Sequence, residues 1–137
     1  MFRPHAYSLA GKIFKDIVEA GFKVTAMETF HLDHSTSDKF LEVYKGVIDN
    51  HGEIVKELSS GHCLFIQVVD DEDEDVVNRF RQFCGPPDPD IARCLRPNTL
   101  RAKYGESVNK NAVHCTDLPE DGPLEVDYFL TILHKHK

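Results

Sequence analysis

The sequence feature that most constrains the fold is a nearly continuous apolar run, HCLFIQVVD, at residues 62–70. An apolar run of this length between turn residues is typical of a buried strand. A buried strand has to pair its backbone N–H and C=O groups with neighbouring strands. One candidate neighbour is the segment FKVTAMETFHL at residues 22–32, which is rich in β-forming residues. The sequence therefore predicts a small sheet built around residues 62–70.

Apolar residues at helical spacing predict that helices outnumber the strands. The first helix fits residues 8–20, where Gly21 is a suitable stop signal. Further helices are predicted over residues 35–48, 52–61, 76–84 and 122–133. Glycine and proline in CGPPDPD end the helix that precedes them. Most of residues 85–123 is predicted to be loop, with one helical turn at 90–95.

Composition and charge restrict the class of protein. The chain has 137 residues and is 41% apolar, which suits one domain over residues 1–137 with one hydrophobic core. A net charge of −7 argues against binding DNA or RNA through the phosphates. No apolar run reaches the ~18–20 residues that cross a bilayer, and the first residues contain no apolar h-region, so we expect no signal peptide. The four cysteines form no C-x-x-C pair, so we expect reduced thiols in the cytoplasm.

The long predicted loop carries three arginines and the segment NKNAVHCTD, which includes His114. Loops of this length in small domains are usually functional or disordered. Arginine forks match phosphate oxygens, so Arg81 and Arg101 are candidates to bind a polyphosphate. The neutral imidazole of His114 has a lone pair at pH 7 and can act as a nucleophile. Glu125 is the candidate carboxylate that would fix its tautomer.

Each of these residues also has a purely structural explanation. Tyr44 lies on the apolar face of a predicted helix, which favours core packing. Arg81 fits a solvated helix position, Asn111 fits a turn, and Glu125 fits the acidic first turn of a helix. Spacing alone leaves both interpretations of His114 open: a residue that fills a turn, or a nucleophile.

These residues lie in segments that resemble nucleoside diphosphate kinases, in the same order, over nearly the whole chain. The segments are RPHAYSLAGKI, GFKVTAMETF, EVYKGV, SSGHCLF, FRQFCGPPDPDIARCLRPNTLRAKYG and NKNAVHCTD. The signature of that family is N-x-x-H, a small residue, Ser or Thr, and Asp, and it matches residues 111–117. A P-x-T-[IL]-R element precedes it. Within the family, the chain is similar to the C-terminal kinase-like domain of the tandem branch associated with flagella and centrosomes.

The resemblance implies an α+β fold, in which a small antiparallel sheet of ferredoxin-like βαββαβ order is covered by helices. It implies a ping-pong reaction in which a nucleoside triphosphate phosphorylates a histidine and a nucleoside diphosphate then takes the phosphate. Mg²⁺ would be bound with the nucleotide, without a protein ligand. The implied catalytic residues are His114, Glu125 and Tyr44, and the implied nucleotide-binding residues are Arg3, Arg81, Arg101, Val108 and Asn111.

The resemblance also implies partners and a location. Nucleoside di- and triphosphates would be the ligands, with no nucleic acid and no membrane. The chain would form a homo-oligomer or pair with a second kinase-like domain. The tandem branch adds microtubule-associated proteins as partners and a cytoplasmic location at the cilium, flagellum or centrosome. The alternative function is a catalytically weak or inactive module that acts as a binding or scaffold domain in such an assembly.

Four features depart from the family pattern, one of them a segment AYSLAG about two residues shorter than the family loop. Arg3 stands where the family has the lysine of K-P-[DH], and Pro87 replaces a threonine that contacts phosphate. Of the first strand, at most Met1 and Phe2 are present. Loss of a central strand would leave backbone groups unpaired unless another segment filled the gap. If Arg3 is the main defect, Arg3→Lys is expected to raise activity.

Overall fold

The computed structural model describes residues 1–137, the whole chain. Two strands form an antiparallel pair: β1 spans Lys23–His31 and β2 spans His62–Val69. Both lie where the sequence predicts strands. A bulge between Val24 and Ala26 shifts the register near the start of β1. The apolar run therefore forms one of the two longest strands, as expected.

A very short strand at the N-terminus extends this sheet. The Phe2 amide donates to the Leu64 carbonyl at 2.7 Å, and the Leu64 amide donates back to the Phe2 carbonyl at 3.1 Å. On its other side Phe2 bridges Val113, also in the antiparallel sense. The spatial order is thus β1, β2, Phe2, Val113. In chain order these are the second, third, first and fourth segments, which is the strand order of a ferredoxin-like sheet.

The backbone on the far side of this short strand is also paired. The Arg3 amide donates to the Ala112 carbonyl at 2.9 Å, and the His114 amide donates to the Met1 carbonyl at 2.9 Å. The ammonium group of Met1 donates to the His114 carbonyl at 2.8 Å. The first strand is as short as the sequence predicts, and the backbone groups of Met1, Phe2 and Arg3 that face Leu64 and residues 112–114 are paired.

Seven α-helices and several shorter helical turns surround the sheet, and no helix is long and apolar enough to cross a membrane. The α-helices are α1 Ala10–Glu19, α2 His34–Phe40, α3 His51–Leu58, α4 Val76–Cys84, α5 Pro89–Leu95, α6 Leu100–Tyr104 and α7 Gly122–Asp127. Turns of 3₁₀-helix lie at Pro4–Leu9, Glu42–Tyr44, Pro119–Asp121 and His134–His136, and a π-helical turn at Tyr128–Leu133 continues α7.

One helix prediction and the loop prediction are wrong in extent. The helix predicted over residues 35–48 ends at Phe40; a 3₁₀ turn at Glu42–Tyr44 follows, and the chain then turns through Gly46 with a φ of 84°, a value that glycine adopts at little cost. The loop predicted over residues 85–123 contains α6 in addition to the expected turn at α5. Because α6 has only five residues, it shows no periodic pattern, and its packing against α5 stabilises it.

The core lies on both faces of β2. Leu64 and Ile66 pack in a cluster of buried side chains with Phe2, α1 and α4. Cys63 and Phe65 point to the opposite face and pack in a second cluster with α3 and the C-terminal helical turns. Successive residues of a strand point to opposite faces of the sheet, so a strand covered on both sides reads as an uninterrupted apolar run.

We expect Phe2→Ala to destabilise the fold by about 3–5 kcal/mol, the usual cost of removing a buried aromatic side chain. Phe2 is 1% exposed and lies in the short central strand. Urea unfolding followed by circular dichroism measures the change. The matched control is Val47→Ala, since Val47 is 78% exposed and its loss should cost less than about 0.5 kcal/mol. Equal midpoints for both variants would contradict a structural role for the short strand.

Candidate active site

A cavity of about 510 Å³ opens beside His114. Its volume is in the range of roughly 300–1,000 Å³ that is typical of small-molecule sites. Four arginines and a single carboxylate are the charged groups in its wall, although the whole chain is acidic. These charged residues are Arg3, Arg81, Arg96, Arg101 and Asp117. The cavity is therefore suited to an anionic ligand.

A strained turn presents His114 to this cavity. Ala112 has a φ of 73°, and it is the only residue other than glycine with a positive φ. The Val113 amide donates to the Asn111 carbonyl at 2.9 Å, so the three residues form a γ-turn around Ala112. Such a conformation costs of order 1–3 kcal/mol and persists only where its surroundings hold it. Here the hydrogen bonds to the short first strand hold the turn on both sides.

Glu125 fixes the orientation of the imidazole. The first turn of α7 carries Glu125, and its Oε2 lies 3.3 Å from His114 Nε2. The Thr116 hydroxyl donates to the same oxygen at 3.1 Å. Burial alone would raise the pKa of Glu125, but the hydrogen bonds from His114 and Thr116 outweigh it and the pKa lies below its usual value. Because an ionised carboxylate only accepts, Nε2 carries the proton and Nδ1 of the neutral ring keeps its lone pair.

Tyr44 and Arg81 meet at Asp117. The Tyr44 hydroxyl donates to Asp117 Oδ2 at 2.5 Å. Arg81 Nη1 donates to the Asp117 carbonyl at 3.0 Å, and Arg81 Nε lies 3.5 Å from Oδ1. Burial and the neighbouring carboxylate raise the pKa of Tyr44 far above its usual value, so the hydroxyl keeps its proton. The Tyr44 and Phe40 rings also approach the imidazole of His114 edge-on, with centroids at 6.3 and 5.0 Å.

Arg3 forms the buried floor of the cavity and is 4% exposed. Its Nε lies 3.0 Å from Glu57 Oε2, and its Nη1 donates to Asn111 Oδ1 at 2.7 Å. Asn111 in turn donates to the Pro87 carbonyl at 3.0 Å. The third nitrogen of the guanidinium, Nη2, is buried and has no partner. A buried donor without a partner is costly, so this atom is a natural place for a ligand oxygen.

Arg101 is the second buried arginine in the wall. Arg101 lies in the first turn of α6. Its Nη1 donates to the Gly85 carbonyl at 2.7 Å, and its Nη2 donates to the Val113 carbonyl at 3.0 Å. Its Nε is buried and has no partner. Arg101 has no carboxylate within salt-bridge distance; besides the two carbonyls, its Nη2 contacts only the Cys115 sulfur, at 3.9 Å. A cation held in this way is ready to bind an anion.

The cavity brings together six of the eight predicted site residues: Arg3, Tyr44, Arg81, Arg101, Asn111 and His114. Glu125 lies behind the imidazole, in contact with His114, and does not line the cavity. Val108 does not line it either and is 44% exposed, so base contact by Val108 stays a prediction.

Sequence analysis missed several residues of the wall. Leu41, Ile48 and Ile54 form an apolar part of it, and Arg96 adds a fourth cation. Arg96 immediately precedes the P-x-T-[IL]-R element, but the loop contains other arginines with equally plain spacing. Nothing in the pattern separates an arginine that faces the cavity from one that does not.

The pKa of Glu125 makes the stability of the native state depend on pH. A carboxyl group whose pKa is depressed on folding stabilises the fold above its unfolded pKa, here 4.5, and loses that contribution as the pH falls through the folded pKa. We expect Glu125→Gln to lower the free energy of unfolding at neutral pH, and this difference should shrink below pH 4.5.

Urea unfolding at several pH values measures the effect. Glu120→Gln is the matched control, because Glu120 is exposed in the preceding 3₁₀ turn and has no ion pair. A difference between Glu125→Gln and the wild type that does not change with pH would contradict the assignment of an ionised Glu125.

Comparison with known proteins identifies the family of this chain. Residues 1–133 match the family model described as nucleoside diphosphate kinase. The chain is 48% identical over 135 residues to nucleoside diphosphate kinase homolog 7 of Rattus norvegicus and 49% identical to that of Mus musculus. Each alignment covers 97% of this chain and 33% of the relative, so the chain spans about a third of the length of these relatives.

A solved structure extends the agreement to the fold. The nucleoside diphosphate kinase of Aquifex aeolicus superposes with a TM-score of 0.85 at 30% sequence identity. The superposition covers 96% of this chain and 92% of that one. The shared fold is the α+β arrangement expected from the sequence, with an antiparallel sheet and surrounding helices. The chain belongs to the nucleoside diphosphate kinase family.

Proposed function

We propose that this chain is a nucleoside diphosphate kinase that works through a phosphohistidine at His114. One observation carries the proposal. Glu125 holds the Nε2 side of the ring, Nδ1 makes no hydrogen bond, and the ring lines a cavity that also contains four arginines. The proposed nucleophile therefore lies where an anionic substrate would bind.

In the first half-reaction, Nδ1 of His114 attacks the γ-phosphorus of a nucleoside triphosphate. The N–P bond forms as the bond to the bridging oxygen breaks, and the nucleoside diphosphate leaves with that electron pair. The ring gains positive charge in this step, and the Glu125 carboxylate at 3.3 Å stabilises it. In the second half-reaction, a terminal phosphate oxygen of another nucleoside diphosphate attacks the phosphohistidine, and Nδ1 recovers its lone pair.

The arginines neutralise the charge of the transferring group. The unpartnered Nη2 of Arg3 and Nε of Arg101 are buried donors that phosphate oxygens would satisfy. Arg81 is anchored to Asp117, which Tyr44 also binds, so this network fixes one wall before the substrate arrives. Preorganised donors of this kind stabilise charge without reorganisation during the reaction.

Mg²⁺ would reach the site on the phosphate chain of the nucleotide. Asp117 is the only carboxylate in the wall, and both Tyr44 and Arg81 already bind it. Nucleotide phosphates commonly supply most of the ligands of Mg²⁺, which keeps several waters. When bound, the ion would neutralise part of the phosphate charge. We assign it no ligand from this chain.

The remaining wall suits a nucleoside. Leu41, Ile48 and Ile54 offer apolar contact without a fixed set of hydrogen bonds, which fits loose recognition of several bases. Pairing with a second kinase-like domain, microtubule-associated partners and a ciliary or centrosomal location stay predictions that rest on the resemblance alone. The alternative of a weak kinase that acts as a scaffold is addressed by the activity measurements that follow.

We expect His114→Ala to abolish phosphoryl transfer, with a loss of at least about 10³-fold in kcat/KM, because the covalent route disappears. The measurement is incubation with γ-labelled ATP and Mg²⁺, followed by a test for an acid-labile label and for its transfer to GDP. His136→Ala is the matched control, since His136 lies in the last 3₁₀ turn, away from the cavity.

Two results would contradict the proposal. A label that persists in His114→Ala would place the chemistry elsewhere. A folded wild-type protein that binds ADP but takes up no label would favour the scaffold alternative.

The contacts of Arg3 favour the opposite effect of Arg3→Lys from the one that the resemblance implies. The guanidinium reaches Glu57 and Asn111 at the same time and still has Nη2 free, whereas a lysine ammonium is a single point charge. We therefore expect Arg3→Lys to lower kcat/KM by about tenfold, the equivalent of one charge-assisted hydrogen bond. Steady-state assays with ATP and GDP measure it, with thermal unfolding as the check on folding. A rise in activity would show that the lysine geometry of the family is better even in this cavity.

A further inference from the structure

We propose that Arg96 binds the phosphate chain of the nucleotide, as a fourth arginine of the site; this inference rests on the proposed function. Arg96 lines the cavity beside Arg81 and Arg101. Neither the family signature nor the residues predicted from the sequence include it. Its role follows from a comparison of the hydrogen-bond and ion-pair partners of the four arginines in the cavity.

Arg96 is the one arginine of the cavity whose guanidinium has no partner within the chain. Arg3 is paired with Glu57, Arg81 with Asp117, and Arg101 with two backbone carbonyls. The Arg96 side chain makes no hydrogen bond and no ion pair. All five of its N–H donors are therefore free for a ligand.

The backbone of Arg96 is fixed although its guanidinium is free. Its amide donates to the Ala92 carbonyl at 2.7 Å and ends α5. Its carbonyl accepts from both the amide and the hydroxyl of Thr99, at 3.1 and 2.7 Å. Pro97 follows and restricts the backbone further. A residue held in this way loses little backbone entropy when its side chain binds a ligand.

Close packing holds this segment against the end of α4. Gly85 has a φ of 86°, and a Cβ placed on it would lie 2.6 Å from Cβ of Thr99. Thr99 is 6% exposed. The contact that only glycine permits therefore keeps the Arg96 turn next to the residue that follows α4, the helix that carries Arg81. The two cations are held on the same wall by backbone packing.

The cavity wall near Pro87 has few hydrogen-bond donors, and Arg96 can supply them. Pro87 lines the cavity, and proline offers neither a hydroxyl nor an N–H group. Its carbonyl is already bound by Asn111. This part of the wall therefore offers no donor to a phosphate, and Arg96 supplies donors and a positive charge from the same wall. The ligand chemistry is the phosphate chain shared by nucleoside di- and triphosphates.

The test compares the binding of ADP and of adenosine by isothermal titration calorimetry, with the full chain. We expect Arg96→Gln to weaken ADP binding by about tenfold, as for loss of a charged hydrogen bond, and to leave adenosine binding unchanged. Arg96→Lys keeps the charge without the fork and should recover part of the affinity. Lys12→Gln is the matched control, because it removes the same charge from an exposed position on α1 outside the cavity.

The outcomes separate this inference from the proposed function. If the wild type binds ADP more tightly than adenosine and Arg96→Gln has the ADP affinity of the wild type, the role of Arg96 is overturned while the kinase stands. If Arg96→Gln weakens ADP and adenosine equally, the residue shapes the cavity and does not bind phosphate. If the wild type does not prefer ADP over adenosine, the proposed function itself fails.

Steady-state kinetics supply an independent readout. A residue that binds the phosphate chain equally in the ground and transition states raises KM and leaves kcat nearly unchanged. We expect this pattern for Arg96→Gln with both ATP and GDP. A loss of kcat at constant KM would instead assign Arg96 to the transition state and overturn its role in ground-state binding.

Discussion

The main-chain pairing between Met1 and His114 is the interaction on which the rest of the site depends. The His114 amide and carbonyl both bond to Met1, at 2.9 and 2.8 Å. These bonds fix the proposed nucleophile beside the short central strand. The same short strand places Phe2 in the core and Arg3 in the cavity floor. Three consecutive residues therefore couple the register of the sheet, the packing of the core and the phosphate site. The strained turn at Ala112 persists because this pairing holds it.

The cavity also concentrates charges that the fold alone does not balance. Arg3 is buried with one carboxylate partner, and Arg101 is buried with two backbone carbonyls and the Cys115 sulfur but no carboxylate. Burying a charge without a full set of partners costs several kcal/mol, so the empty site carries an electrostatic penalty. An anion bound in the cavity would relieve it by supplying negative charge. A ligand that binds the native state adds stability by mass action, so the proposed nucleotide is expected to stabilise the fold. The chain as a whole has a net charge of −7. The excess of positive charge is therefore confined to the cavity.

The sequence predicts the parts of this structure that repeat along the chain or stand in a fixed motif. The run at residues 62–70 marks the strand with both faces covered, and the signature at 111–117 locates His114 beside Asn111. The pairing of Met1–Arg3 is not predictable in the same way, because three residues have no period and their partners lie more than sixty residues away. Arg96 is missed for a related reason: whether an arginine faces a cavity depends on contacts such as Gly85 against Thr99, which no local pattern records.

Two of the departures from the family pattern lie in the cavity wall and not among the residues that contact the His114 imidazole. Arg3 and Pro87 line the proposed phosphate site, whereas Glu125 is bonded to both His114, the proposed nucleophile, and Thr116. Interactions with phosphates that do not react contribute mainly to binding in both the ground and the transition state, and their loss appears in KM. The orientation of the imidazole acts on the reacting atoms and appears in kcat. On the proposed function, the changes at Arg3 and Pro87 are expected to alter KM, whereas the contact of His114 with Glu125 is expected to maintain kcat.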